Sequence, residues 1–214
     1  MRRHFVTLPG GRQVHYRRHG SGPPLVLLHE SPETSLMYVP LMEALGDRFT
    51  TIALDTPGRG LSDPLPLERP EIADYAAGVA ETLVALGLGA APVPVFGTHT
   101  GAMIALELAC AFPQHVAVAV VDGLPVFEED EAEELAARFA PPLGIEPDGS
   151  HLLRLWWRTR SGATWFPWYA QDEAHRLALP LPSPRALHAR VLNVLRSGDG
   201  YRIPYAAAFR YRPL

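Results

Sequence analysis

The sequence contains no lysine, since all 19 of its basic side chains are arginines. This absence excludes a catalytic lysine, a Schiff base and the lysine-containing phosphate loop of nucleotide-binding proteins. It contains one cysteine, Cys110, so no internal disulfide can form. Because Cys110 falls in an apolar, alanine-rich segment, we expect a buried thiol. No residues have the spacing of a metal site, so neither a metal nor a cofactor is expected.

Blocks of like charge and long apolar runs are also missing. The net charge is -4 without a basic stripe, which argues against a nucleic-acid partner. No apolar stretch is long enough to span a bilayer, so no membrane partner is expected. The first six residues lack the apolar core of a secretory signal. A cytoplasmic protein that acts on a small molecule is therefore the expectation.

Short apolar runs are frequent in the first half of the 214 residues. Alternating residues on either side of the turn at 9–11 predict an antiparallel hairpin. Continuous apolar runs predict strands buried on both faces, and the segments between them have helical periodicity. The predicted strands cover 25–28, 50–54, 93–96 and 116–121, and the helices end near 45, 88 and 112. This alternation predicts an α/β fold, a mostly parallel sheet covered by helices.

The sequence pattern changes after residue 123. No further buried strand is predicted, prolines interrupt the helical segments, and all four tryptophans occur here. We therefore divide the chain into a core, 1–123, and a helical region, 124–214.

Three segments of the core resemble motifs of the α/β-hydrolase superfamily, in the same order. Residues 27–32 (LLHESP) resemble its oxyanion segment, and residues 55–63 (DTPGRGLSD) resemble its Asp-x-Pro-Gly-x-Gly-x-Ser loop. Residues 97–101 (GTHTG) resemble its nucleophile elbow, a cramped turn between a strand and a helix. The resemblance implies a helical cap at 124–214 and hydrolysis of a small apolar ester, lactone, epoxide or C–C bonded substrate.

Two residues depart from the family pattern in the predicted crevice. His99 stands where the nucleophile, usually serine, is expected, and Glu30 stands where glycine is usual. We hypothesise that Glu30 orients His99 and raises its basicity, so that His99 activates water. The alternatives are a vestigial elbow, and a Glu30 that faces solvent or caps the next helix. Asp122 is either an alternative catalytic acid or a turn-forming residue.

Other site residues follow from family position. The backbone N–H groups of Ser31 and Thr100 are expected to form the oxyanion hole. His29 and Asp55 are expected to brace loops. The tryptophans of the cap are expected either to line a substrate pocket or only to hold the cap together; those assigned to the pocket are Trp156, Trp165 and Trp168.

The resemblance also implies two strands and a catalytic histidine beyond the cap, and the sequence ends before them. We expect either a fragment or a truncated protein, with the fold incomplete at its C-terminus. Strand 116–121 would then lie at an open sheet edge, which allows a homodimer through that edge or poor solubility. A non-catalytic small-molecule binder and an inactive truncated hydrolase remain the alternatives to an enzyme.

Overall fold

The computed structural model describes residues 1–213, so Leu214, the last residue of the predicted cap, lies outside the described residues. Six strands form one sheet in the order β1-β2-β4-β3-β5-β6. The β1–β2 and β2–β4 pairs are antiparallel and the other pairs are parallel. The strands are β1 (Arg2–Thr7), β2 (Gln13–His19), β3 (Pro24–Leu28), β4 (Thr50–Leu54), β5 (Val93–Thr98) and β6 (Val116–Asp122). The predicted fold class is confirmed.

Seven α-helices accompany the sheet in the described residues. They are α1 (Val39–Leu45), α2 (Ile72–Ala85), α3 (Thr100–Ala111), α4 (Glu129–Arg138), α5 (Ser150–Gly162), α6 (Pro184–Ser197) and α7 (Arg202–Arg210). Helix α2 ends three residues before the predicted limit at 88, and Leu86 is its C-cap. Within residues 1–213, no helix combines the length and apolarity needed to cross a bilayer.

The central strands are buried on both faces because their side chains alternate between two helical layers. Val26 and Leu28 pack into the cluster built with α2 and α3. Leu27 packs on the opposite face, against Tyr38, which precedes α1, and Met42, which lies in α1. Continuous apolar runs, rather than alternating ones, follow from this two-sided burial.

The helices after residue 123 form a smaller cluster of their own. Leu155 of α5 packs against Val191 and Val194 of α6. Helix α7 instead returns to the main core, which Ala207 and Ala208 join. The division at residue 123 stays a prediction, since the last helix contributes to the core.

Two features near β6 concern predictions made from the sequence, namely the open sheet edge and the burial of Cys110. β6 is an edge strand, and Val118 and Val120 are exposed on it. Cys110, near the end of α3, is exposed, which corrects the predicted burial of this thiol. The apolar stripe of α3 faces the sheet through residues such as Ile104 and Leu108, and Cys110 lies away from that stripe.

Candidate active site

The turn between β5 and α3 is a strained elbow with His99 at its apex. His99 has φ of +46°, and it is the only residue other than glycine with a positive φ in the described chain. A Cβ on Gly97 would lie 2.1 Å from the carbonyl oxygen of Gly101, and a Cβ on Gly101 would lie 1.9 Å from that of Leu28. The flanking glycines are therefore a steric requirement of the turn.

Backbone hydrogen bonds hold the apex in place. The His99 N–H donates to the carbonyl oxygen of Asp122 at 2.8 Å, and the Met103 N–H donates to the His99 carbonyl oxygen at 3.0 Å. A Cβ on Gly123 would lie 2.7 Å from Cε1 of His99, so the end of β6 also packs against the ring. The imidazole itself is about half-exposed at the mouth of a cavity.

Glu30 lies beside this imidazole. It follows β3 and His99 follows β5, and these neighbouring parallel strands flank the point where the strand order reverses. Crevices at such points are the usual ligand sites of parallel sheets. Glu30 Oε2 is 3.6 Å from His99 Nε2, an ion-pair separation rather than a hydrogen bond. The proximity that the hypothesis requires is present, and the catalytic roles stay a prediction.

A guanidinium from α6 completes this cluster, and it was not among the residues predicted from the sequence. Arg190 of α6 donates from Nη2 to Glu30 Oε1 at 2.9 Å and from Nε to Glu33 Oε1 at 2.7 Å. Asn193, one turn later, donates to Glu33 Oε2 at 2.8 Å. The signal in the sequence was the pair of acids at 30 and 33, because two carboxylates that are buried side by side require a cation.

Burial and charge act against each other on Glu30. Removal from water raises the pKa of its carboxyl group, and the charges of Glu33 and Asp122 act in the same direction. Arg190 and His99 oppose this effect, and Arg190 is the stronger of the two. The negative charge of Glu30 therefore depends on Arg190 of α6.

His29 and Asp55 brace the surrounding loops, which is the role predicted for both from the sequence. Burial lowers the pKa of His29, so its ring is neutral. Its Nε2 accepts from the Thr56 N–H at 3.0 Å, which leaves Nδ1 to donate to the Glu30 carbonyl oxygen at 2.9 Å. His29 thus fixes the backbone of the oxyanion segment.

The two predicted oxyanion donors border the same cavity. Ser31 and Thr100 both line it. Neither backbone N–H makes a hydrogen bond within residues 1–213. Unpaired donors at the end of a strand and the start of a helix suit a developing negative charge. Their role in catalysis stays a prediction.

The cavity has a volume of about 640 Å³ and a largely apolar lining, within the range of small-molecule sites. Its ionisable lining residues are Glu30, His99 and Arg190. Its aromatic lining consists of Phe127, Phe139, Phe166, Tyr205 and Phe209.

The predicted tryptophans lie outside this lining, which corrects the expected pocket. Trp156 packs on the α5–α6 cluster, and the Trp168 indole N–H donates to the Phe139 carbonyl oxygen at 2.8 Å. The backbone of Trp165 forms an isolated antiparallel β-bridge with the backbone of Arg176. These contacts hold the helical region together, and the aromatic wall of the cavity consists of four phenylalanines and Tyr205 instead.

The side chain of Asp122 is exposed and makes no hydrogen bond within the described residues. Its contact with the elbow is through the backbone, and Gly123 follows it with φ of +66°. This arrangement is typical of an Asp-Gly turn. The Asp122 side chain makes no hydrogen bond or ion pair with His99 within the described residues, so nothing in this geometry supports a role as catalytic acid.

Residues 23–142, more than half of the chain, match the family model described as alpha/beta hydrolase fold. The chain is 36% identical over 139 residues to the 2-(acetamidomethylene)succinate hydrolase of Mesorhizobium japonicum, covering 63% of this chain and 49% of that protein. It is 30% identical over 120 residues to the (E)-2-((N-methylformamido)methylene)succinate hydrolase of Acinetobacter baylyi, covering 56% and 44% of the two chains. The chain thus spans about half the length of these curated relatives.

Solved structures of hydrolases share the fold. An epoxide hydrolase from an endophytic Streptomyces superimposes with a TM-score of 0.72 and 20% identity, covering 98% of this chain and 72% of the other. A hydrolase from Pseudomonas aeruginosa gives 0.70 and 19%, covering 97% and 72%. At these identities the likeness concerns the architecture.

Proposed function

Because the chain belongs to the α/β-hydrolase family, we propose that it hydrolyses a small, largely apolar substrate by activating water at His99. The substrate would be an ester, a lactone, an epoxide or a C–C bonded compound. The relatives' names add derivatives of methylenesuccinate to this range. The chain covers about half of those relatives, so their substrates are the first compounds to test rather than an assignment.

The observation that carries the proposal is an imidazole held at a strained apex, at the mouth of an apolar cavity, 3.6 Å from a carboxylate. In the proposed reaction, His99 takes a proton from a water molecule as the water attacks the substrate. Glu30 stabilises the resulting imidazolium. The Ser31 and Thr100 N–H groups receive the oxyanion, and His99 then returns the proton to the leaving group. No covalent serine intermediate forms.

A non-catalytic binding protein is the second candidate, and one observation favours it. The ring nitrogens of His99 make no hydrogen bond within residues 1–213, because the separation from Glu30 is too long for one. A binder would use the same cavity without turnover.

The test is a hydrolysis assay on nitrophenyl esters, a lactone, styrene oxide and 2-(acetamidomethylene)succinate. We expect His99→Ala to lower kcat/KM by about 100-fold or more, since general-base catalysis contributes about 10² to 10⁴. Glu30→Gln should also reduce it. His188→Ala removes an exposed histidine of α6 and serves as the matched control. Equal rates for wild type and His99→Ala would refute the mechanism, and calorimetric binding without turnover would establish the binder.

A further inference from the structure

Helix α6 contributes two polar side chains to the site from one face. Ser183 caps its start, with its hydroxyl accepting from the Ala186 N–H at 3.3 Å, and Pro184 occupies the first turn. Arg190 and Asn193 are three residues apart, so they lie on the same side of the helix. Both point at the loop after β3, where they contact the acids at 30 and 33.

The contacts divide the two oxygens of Glu30 between two partners. Oε1 accepts from Arg190 Nη2 at 2.9 Å, and Oε2 faces His99 Nε2 at 3.6 Å. Arg190 is itself held by its second bond, from Nε to Glu33 at 2.7 Å. Asn193 then holds the other oxygen of Glu33. In this series of contacts, Arg190 orients Glu30, Glu33 orients Arg190, and Asn193 orients Glu33.

We propose that Arg190 is a positioning residue, which turns the Glu30 carboxylate so that one oxygen faces His99. The acid–base pair is therefore assembled only when α6 is docked on the core. This inference rests on the proposed function for its catalytic meaning, although the geometry it describes can be tested without turnover.

Charge explains why an arginine is required. Glu30 and Glu33 are largely buried, with side chains 17% and 13% exposed, and two neighbouring carboxylates repel each other when ionised. The pKa of Glu30 is influenced by Arg190, His99, Glu33 and Asp122, and Glu30 in turn, in addition to burial, raises the pKa of Tyr38 and Tyr205. A guanidinium can bind two carboxylates at once through a planar set of donors, whereas an ammonium is a single point charge. Lysine at 190 would keep the charge but lose the orientation.

The first experiment measures the Glu30 carboxyl group directly by NMR titration of protein labelled with ¹³C at glutamate side chains. The Glu30 signal is assigned as the one lost in Glu30→Gln. Arg190→Met should raise the pKa of Glu30 by about one unit or more, because an opposite charge at this distance lowers a carboxyl pKa by about that amount. Arg196→Met is the matched control, since Arg196 lies exposed on the same helix without an ion pair in residues 1–213.

The second experiment compares kinetic constants and uses Arg190→Lys to separate charge from orientation. We expect Arg190→Met and Arg190→Lys to lower kcat by up to about 100-fold with a small change in KM, since misplacement of a catalytic group acts on the chemical step. Only Arg190→Lys should keep the Glu30 titration close to that of wild type. Circular dichroism confirms that each variant is folded.

The results of these two experiments distinguish a failure of this inference from a failure of the proposed function. An unchanged Glu30 titration in a folded Arg190→Met variant overturns the inference, whether or not the protein turns over a substrate. A wild-type kcat in Arg190→Lys overturns the positioning role. If wild type hydrolyses nothing, the proposed function fails, while a raised Glu30 pKa in Arg190→Met still supports the assembly of the pair by α6.

Discussion

Replacing Asp55 by Asn should destabilise the fold at neutral pH and remove part of its acid sensitivity. Asp55 follows β4, and its carboxylate accepts three hydrogen bonds in a buried position. The donors are His15 Nδ1 at 2.8 Å, the Ser35 N–H at 2.7 Å and the Leu61 N–H at 3.0 Å. This one carboxylate thus connects strand β2, the segment before α1 and the loop at 55–63.

The magnitude follows from the pKa of this carboxyl group. Burial alone would raise it, but the hydrogen bonds from His15 and Ser35 lower the pKa to about 2, against 3.8 for an ordinary aspartate. The difference corresponds to about 2 kcal/mol of the free energy of unfolding. Because the folded pKa is the lower one, this contribution is present above about pH 4 and is lost as the pH falls toward 2.

The assay is urea unfolding of wild type and Asp55→Asn at pH 7 and at several values down to pH 2. Asp55→Asn should be less stable by about 2 kcal/mol at pH 7, and the gap should narrow as the pH falls. Asp47→Asn, at an exposed carboxylate without a hydrogen bond in residues 1–213, controls for a change of net charge. A gap of constant size across this range would refute the reasoning.

Two further predictions concern the elbow and the sheet edge. His99→Gly should be more stable toward urea than His99→Ala by about 1 kcal/mol, because only glycine relieves the positive φ; equal stabilities would contradict the strained apex. We also propose that β6 pairs with β6 of a second copy. Val118→Arg should then weaken a concentration-dependent dimer in sedimentation, whereas Val84→Arg, at a similarly exposed position on α2, should not. A wild-type monomer at all concentrations would contradict this pairing.

The sheet was predictable because β3 to β6 are short apolar runs and because β1 and β2 alternate on either side of a proline-glycine turn. The loop at 55–63 was predictable for a related reason, since its motif residues Asp55, Gly60 and Ser62 each have a steric or bonding task. Gly60 has φ of +56°, and a Cβ there would lie 1.9 Å from Asp55 Oδ2. Ser62 donates from Oγ to the Asp55 carbonyl oxygen at 2.7 Å. Local geometry of this kind leaves a local sequence pattern.

The part of the site formed by residues after 123 was not predictable in the same way. Arg190 meets Glu30 across 160 positions of sequence, and no periodicity of α6 distinguishes it from the exposed arginines nearby. Composition also gave no indication of which aromatic rings point inward. Trp168 uses its indole N–H to bind the backbone of Phe139, while the phenylalanine ring lines the cavity. Tertiary packing decided both outcomes.

The elbow constrains its neighbours far more than its apex. The close approaches that forbid a side chain involve Gly97, Gly101 and Gly123, whereas the apex side chain extends into the cavity mouth. The fold therefore tolerates an imidazole where the family usually has a hydroxyl. Glycine at 99 would avoid a strain of about 1 to 3 kcal/mol, so a histidine there has a steady energetic cost. The cost is the same whether or not the imidazole acts, so the observation that favours a functional imidazole over a vestigial one is its position at the cavity mouth, beside a carboxylate held by Arg190.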